Sequence, residues 1–430
     1  MKTTLLGAFA ATVLLAGCQQ VPPPASSTDA AGNTITQWPL PAAAGAAQPG
    51  LVLAPDGRLL LSWIKPFDKT RHALQFTTFD RKGQWQWAPK TIAVGASMVV
   101  NWADTPHIAA TADGTLWAHW LQKTRGVGES QDIIVAHSDD DGMNWSAPVR
   151  AHDDGKAVEH GFVSFWPAAR DRLGIVWLDG RNTTGASHAQ HAEHADADAN
   201  AGADAGAGMM SLRSATMDEA SRLGDAVEVD ASVCDCCQTD VATTARGPLL
   251  VYRDRTAEEI RDIYATRFDN GAWSVPQAVH ADNWKMPACP VNGPAVAAVG
   301  DNAVVAWYSA ANDQPVLQVA HSGNAGDTFA APVVVDKGEA VQGRTDVALD
   351  AKQAWVAWLR EDAKGQSLWL ARYTPDLSRE LARIEIAKLQ GRGRGTGFPK
   401  LVARDGEAYL VWTDIASGVP GLHGVRVKSR

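Results

Sequence analysis

A long apolar run is what this sequence most plainly lacks. Beyond residue 15 no stretch is hydrophobic enough to cross a bilayer as a helix, which needs about 20 apolar residues. A basic surplus is missing too. With 39 Lys and Arg against 48 Asp and Glu, the formal net charge is −9 and the pI is near 5.7. No basic stripe is available to neutralise a phosphate backbone, which excludes a nucleic-acid partner. Cysteine is scarce, five in 430 residues. Cys18 stands apart near the N-terminus, leaving an even set of Cys234, Cys236, Cys237 and Cys289.

What is present begins with a short positive region at Met1 and Lys2 and an apolar core over residues 5–15. Leu15-Ala16-Gly17-Cys18 then places small residues before a cysteine. The pattern resembles a lipoprotein signal peptide. It implies removal of residues 1–17 and a lipid on Cys18, and Gln19 in place of Asp implies an outer-membrane address in a bacterial envelope. The membrane would be met through that lipid alone. Residues 18–34, rich in Pro, Ala and Ser, read as the lipidated cysteine and a flexible tether.

Tryptophan is abundant, 17 residues, and it recurs at regular intervals. Seven β-rich runs end in an aromatic residue, at Trp63, Trp120, Trp177, Tyr252, Trp307, Trp358 and Trp412. Apart from the gap between Trp177 and Tyr252, the spacing is roughly 50 to 57 residues, a period that signals a propeller or solenoid. A short apolar run and a turn precede each aromatic, and two further strand-like runs follow, so the unit has four strands. The fold class is therefore all-β, a single β-propeller over residues 35–430. Seven blades are predicted, with six as the alternative if one repeat is degenerate. The last unit is short of an outer strand, and Ile35-Thr36-Gln37-Trp38-Pro39-Leu40 is a spare strand that would close the ring and bury both edges.

Between the third and fourth strands of one blade lies Ser138-Asp139-Asp140-Asp141-Gly142-Met143-Asn144-Trp145. It fits the pattern Ser-x-Asp-x-Gly-x-x-Trp, with Ser138, Asp140, Gly142 and Trp145 at the fixed positions. Ser322, Gly326 and Phe329 mark a second copy in which Asn324 replaces the Asp, and Asp80-Arg81-Lys82-Gly83-Gln84-Trp85 and Asp269-Asn270-Gly271-Ala272-Trp273 look like decayed copies. The physical role is a hairpin turn: a carboxylate caps backbone N–H groups, Gly takes positive φ, and the aromatic packs the turn down. These turns resemble the Asp-box repeats of the sialidase superfamily, and the resemblance covers nearly all of the chain after the tether.

In a propeller, the loops leading into each innermost strand share one face with the loops leaving each second strand, and ligands usually bind there. That face is dense in arginine. Guanidinium groups grip carboxylates bidentately. By resemblance, Arg253, Arg255 and Arg344 would form the clamp on an acidic glycan, Tyr308 the nucleophile with Glu258 or Glu259 as its base, and Asp104 the general acid. A solvated charge network is the other reading of Arg253, Arg255 and their acidic neighbours. The chain departs from catalytic sialidases in having no Phe-Arg-Ile-Pro motif and in its seven repeats against their six blades.

The four remaining cysteines all fall in loops that lead into neighbouring blades. In an oxidising compartment an even cluster forms disulfides, and pairings that link Cys289 to Cys234, Cys236 or Cys237 are preferred over a strained vicinal bond. The alternative is a thiolate site for copper or zinc. The wide gap holds Gly185-Ala186-Ser187-His188-Ala189-Gln190-His191-Ala192-Glu193-His194 and an Asp/Ala/Gly-rich stretch to Gly208. This reads as a disordered insertion over about residues 185–208, either plain solvated loop or a weak metal binder. Three functions follow: a sialidase-like propeller that recognises or hydrolyses an acidic glycan, a metal-binding or redox-linked protein using the cysteines, and a non-catalytic scaffold that docks an envelope protein.

Overall fold

The computed structural model describes residues 25–29, 32–86, 88–124, 130–183 and 208–429. The signal segment, Cys18 and the histidines of the insertion lie outside the described residues. The described chain is all-β, with seven antiparallel sheets in a ring and only two short 3-10 turns.

Blade 1 comprises Ala47–Leu53, Leu59–Pro66, His72–Phe79 and Lys90–Gly95; blade 2 comprises Ile108–Ala110, Leu116–Lys123, Gln131–Ser138 and Val149–Arg150. Blade 3 is His160–Ala169, Arg172–Asp179, Ser211–Asp218 and Val227–Asp230. Blade 4 is Asp240–Thr244, Gly247–Arg253 and Ile263–Asp269 with the short outer pieces Ala272–Trp273 and Gln277–Ala278. Blade 5 is Ala295–Val299, Asn302–Ser309, Val316–Ser322 and Val333–Lys337, and blade 6 is Val341–Leu349, Ala354–Asp362, Gly365–Tyr373 and Glu380–Leu389. Blade 7 takes Lys400–Arg404, Glu407–Ala416 and Val419–Lys428 from the C-terminal end of the chain, then Thr34–Gln37 from the N-terminal side. Ile35 sits opposite Val427 in that closing pair. Ser26–Thr28, within the stretch read as tether, adds a fifth strand outside it.

All seven repeat aromatics lie in second strands and are buried. Side chains alternate across a strand, so a blade packed on both faces needs apolar residues at consecutive positions. Asn302–Ser309 shows this: Val305 and Trp307 pack against blade 4, whereas Val304 and Ala306 pack against blade 6. In Ala354–Asp362, Val356 and Trp358 face blade 5 while Trp355, Ala357 and Leu359 face blade 7. Each seam between adjacent blades carries its own apolar cluster, including the seam where Trp63 and Phe79 of blade 1 meet Tyr409 and Val411 of blade 7. The ring is closed by packing as well as by the shared sheet.

Outer turns pin the blades. The Ser138 hydroxyl accepts the Gly142 N–H at 2.8 Å and donates to Asp140, whose carboxylate accepts the Asn144 N–H at 2.9 Å. Gly142 has φ +77°, and Trp145 meets Phe76 of blade 1 edge to face at 5.8 Å. In the turn of blade 5, Ser322 accepts the Gly326 N–H at 2.9 Å and Phe329 packs beside the blade 4–5 cluster.

Candidate functional site

The loops that enter the innermost strands and those that leave the second strands share one face, since His160 at the start of blade 3 pairs with Asp179 at the end of its second strand. On the ring axis lies a cavity of about 340 Å³ walled by innermost strands. Asp104, Asp240, Asp346, His107 and Lys400 line it. Each of the three carboxylates holds the next blade by a main-chain N–H: Asp104 accepts from Phe162 at 2.9 Å, Asp240 from Val296 at 2.7 Å and Asp346 from Leu401 at 2.7 Å. Burial pushes the Asp104 carboxyl up to about 8, and the negative charge of Glu159 adds to that against the Phe162 bond. Burial raises Asp346 to about 7 against the opposing charge of Lys400, and it raises Asp240 as well. The second oxygen of Asp104 is buried without a hydrogen-bond partner. Burial thus favours the protonated form of a carboxyl in the wall of this cavity.

Over this cavity Trp102 stacks on Phe398 at 5.8 Å, and the guanidinium of Arg344 lies 4.9 Å from the Trp102 ring. Gln238 crosses from blade 4 to donate to the Ala103 carbonyl at 3.1 Å and accepts the Gly293 N–H at 2.9 Å.

The arginines proposed as a clamp each have protein partners in the structure. Arg253 is 2% exposed and donates to the carbonyls of Asn292, Arg261 and Tyr308, at 2.5 to 3.0 Å. Its burial lowers it to about 9. Arg255 pairs with Asp235 at 2.9 Å and Glu259 at 2.7 Å, the charge network that was the other reading. Arg344 is buried, donating to the Gly393 carbonyl at 2.7 Å, and burial lowers it to about 10. Among the described residues, Arg253 and Arg255 therefore present no free fork, whereas the hydrogen bonds of Arg344 engage its Nη1 alone. The tyrosine–glutamate pair is not assembled either: both Glu259 oxygens go to Arg255 and Arg261, Glu258 is exposed, and among the described residues no hydrogen bond joins either to Tyr308. Asp104 lines the axial cavity and Tyr308 a separate cleft, and the two share no lining residue.

That second cleft, about 620 Å³, lies between blades 5 and 6. Trp284 and Tyr308 wall it, edge to face at 5.7 Å, and Asn292, Asn312, Gln342, Lys285, Asp313 and Glu339 line it. Its rim also carries Cys289. The four cysteines form two disulfides, Cys234–Cys237 and Cys236–Cys289, with Cα separations of 5.7 and 6.1 Å. Paired sulfurs leave no thiolate set for copper or zinc, and the pairing joins the loop into blade 4 to the loop into blade 5.

Neither His160 nor Asp179, which pair on this face, is singled out by the sequence. Asp132, His152 and Asp154 gather around them at the seam of blades 2 and 3. The available signal was His152-Asp153-Asp154 in the loop leading to His160.

These observations define the class: a seven-bladed β-propeller with an axial cavity and a polar side cleft on one face. No family model matches the chain, and no curated protein matches it in sequence. Solved structures that resemble it include the polysaccharide lyase Uly1, at 8% identity over 89% of this chain and 90% of that one, with a TM-score of 0.50. A protein of unknown function from Dyadobacter fermentans matches at 12% identity over 90% and 95%, TM-score 0.48. The NanB sialidase of Streptococcus pneumoniae matches at 8% identity over 86% and 83%, TM-score 0.45. The likeness is one of fold.

Proposed function

We propose that this chain is a lipid-anchored envelope propeller that recognises an acidic, glycan-type ligand in the cleft between blades 5 and 6. The observation that carries the reading is the composition of that cleft: the Tyr308 ring, backed by the buried Trp284, beside the amides of Asn292, Asn312 and Gln342, with Lys285 as the cation for a ligand carboxylate and Asp313 and Glu339 as acceptors for its hydroxyls. Sugars offer C–H faces to aromatic rings and hydroxyls to amides, and the volume lies in the range of small-ligand sites. Recognition without sialidase-type hydrolysis is the form of the proposal, because Glu259 is held by two arginines and is not available to activate Tyr308.

A glycan array probed with the full mature chain tests it. Expected is binding to sialylated or uronic-acid glycans that Tyr308→Ala and Lys285→Ala each weaken, with no product from a fluorogenic sialoside. Absence of glycan binding, or binding indifferent to both substitutions, would sink the proposal.

A redox-linked reading rests on a different observation: Cys234 Sγ and Cys236 Sγ, which belong to different disulfides, lie 3.9 Å apart, and Cys289 opens onto the cleft. Once an external thiol reduces Cys234–Cys237, the Cys234 thiolate is placed to attack Cys236 and expel the Cys289 thiolate, an exchange that needs this approach. Mass mapping after mild reduction and alkylation tests it, and four unmodified cysteines would rule it out.

A further inference from the structure

On the face that carries the side cleft, three loops meet where blade 7 adjoins blade 1, and they leave apolar residues exposed. Residues 39–46 lead into the innermost strand of blade 1 and hold no polar side chain. Ala43 and Ala44 within them are exposed. The hairpin that leaves the second strand of blade 1 carries Phe67, 52% exposed, and the corresponding hairpin of blade 7 carries Val419, also 52% exposed. Gly45 joins all three: its N–H donates to the Pro420 carbonyl at 2.8 Å, and it packs so close to Pro66 that an added Cβ would lie 3.4 Å from the ring. Loops are ordinarily polar, so an uncharged, exposed run of this kind marks a surface that meets an apolar partner. Around Phe67 stand Lys65, Lys69 and Arg71 with one carboxylate, Asp68, a local positive surplus in an acidic chain. Arg71 pairs with Asp68 at 2.7 Å and lies 4.9 Å from the Phe67 ring.

The direction of the N-terminal strands identifies that partner. Thr34 sits opposite Lys428 and Gln37 opposite Val425, so residues 34–37 run toward the end of blade 7 that Val419 caps. Ser26 sits opposite Thr36 and Thr28 opposite Thr34, so Ser26–Thr28 runs the other way. Ala25, whose carbonyl accepts the Gln37 N–H at 2.9 Å, is therefore at the end nearer the exposed loops, and the chain upstream departs toward them. Cys18 is seven residues before Ala25, a reach of at most about 25 Å. Val419 stands six residues beyond Val425, about 20 Å further along the strand than the level of Gln37. A lipid on Cys18 thus leaves a bilayer almost no clearance beyond the hairpin tip. The edge strand beside it, Ser26–Thr28, is exposed and polar, so the apolar loops are the surface that gains by entering the interface.

We infer that Phe67, Val419 and the uncharged loop between them rest in the interface of the bilayer that the Cys18 lipid enters, with Lys65 and Lys69 against anionic headgroups. This contact presupposes the lipid-anchored reading above and goes beyond it by assigning the protein surface that meets the membrane. Apolar side chains bordered by cations are the combination that binds an anionic interface. A second point of attachment fixes the attitude of the ring, with the seam of blades 7 and 1 against the lipid and blade 4 across the ring from it.

The test holds the mature chain from Cys18 on vesicles of phosphatidylethanolamine and phosphatidylglycerol and compares its amide hydrogen exchange with that of the unlipidated Cys18→Ser chain in buffer. Mass spectrometry of Cys18 reports on the lipid anchor separately. Where no native lipid is found, a maleimide lipid on Cys18, the cysteine outside the two disulfides, supplies the tether, so the anchor and the contact fail independently. Expected is slowed exchange over residues 42–45, 67–70 and 416–419 on vesicles, with residues 270–277 of blade 4 unchanged although Val275 is 81% exposed. Phe67→Asp combined with Val419→Asp should abolish the slowing while exchange in the other blades is unaltered and the chain stays held. Val275→Asp should leave the slowing in place. A vesicle-held chain whose three loops exchange as in the free chain, slowing that survives the double substitution, or equal slowing around Val275 overturns the contact.

Discussion

The Asp104 carboxylate accepts the Phe162 N–H at 2.9 Å across the seam of blades 2 and 3, and its other oxygen is buried without a hydrogen-bond partner. One side chain thus fastens two blades and lines the axial cavity.

That relationship sets a pH dependence. Because the folded Asp104 pKa is raised to about 8 from an unfolded value near 3.8, the folded state keeps the proton longer. Its stabilising contribution is full below about pH 4 and is lost as pH rises to about 8. Asp346 and Asp240, also raised, act in the same direction. Melting temperatures recorded across this window should fall with pH. Asp104→Asn should flatten the fall without abolishing it, and an unchanged slope would show that Asp104 is ionised in the folded state.

Arg253 is predicted to matter for stability. Its guanidinium satisfies three buried carbonyls, of Asn292, Arg261 and Tyr308, so Arg253→Met leaves them unpaired at a cost of about 3 kcal/mol or more. Arg253→Lys should not restore it, because an ammonium lacks the planar fork. Urea unfolding measures both variants.

The Cys236–Cys289 bridge closes a sequence separation of 53 residues. Chain-entropy reasoning gives about 4 kcal/mol for a loop of that size, so Cys289→Ser should lower stability by about 2–4 kcal/mol. Calorimetry of the oxidised chain and the variant checks it.

Gly142 has φ +77°, and a Cβ there would come within 2.2 Å of the Phe76 ring of the neighbouring blade. Gly142→Ala should therefore destabilise by about 1–3 kcal/mol. Thermal melts give the number, and Gly83→Ala is the control: also at positive φ, it has open space around it.

The blades were legible because burial on both faces writes itself into the sequence as consecutive apolar residues ending in an aromatic, as at Val304-Val305-Ala306-Trp307. The disulfides were legible because four cysteines remained after Cys18 and their loops lead into adjacent blades. The arginines misled for a physical reason: a guanidinium on a loop can reach outward to a ligand or fold under to backbone carbonyls, and residue type is the same in both cases. Arg253 folds under, where burial is offset by three carbonyl bonds. Glu259 was equally ambiguous until its distances to Arg255 and Arg261 were seen. The His152 cluster draws on residues from 132 to 179 that only the seam brings together, and His152-Asp153-Asp154 is its one local trace. The strand Ser26–Thr28 is short, exposed and polar, and it exists through its pairing with Thr34–Gln37.

Thr34–Gln37 and Val419–Lys428 lie side by side in one sheet although nearly the whole chain separates them. During synthesis the first six blades form an open arc, with the seam-facing sides of blades 1 and 6 uncovered until the last strands arrive. Completion of the circle then waits on blade 7, and a chain cut short before Lys400 would carry bare apolar flanks on blades 1 and 6 and an unpaired leading strand, the surfaces from which aggregation starts.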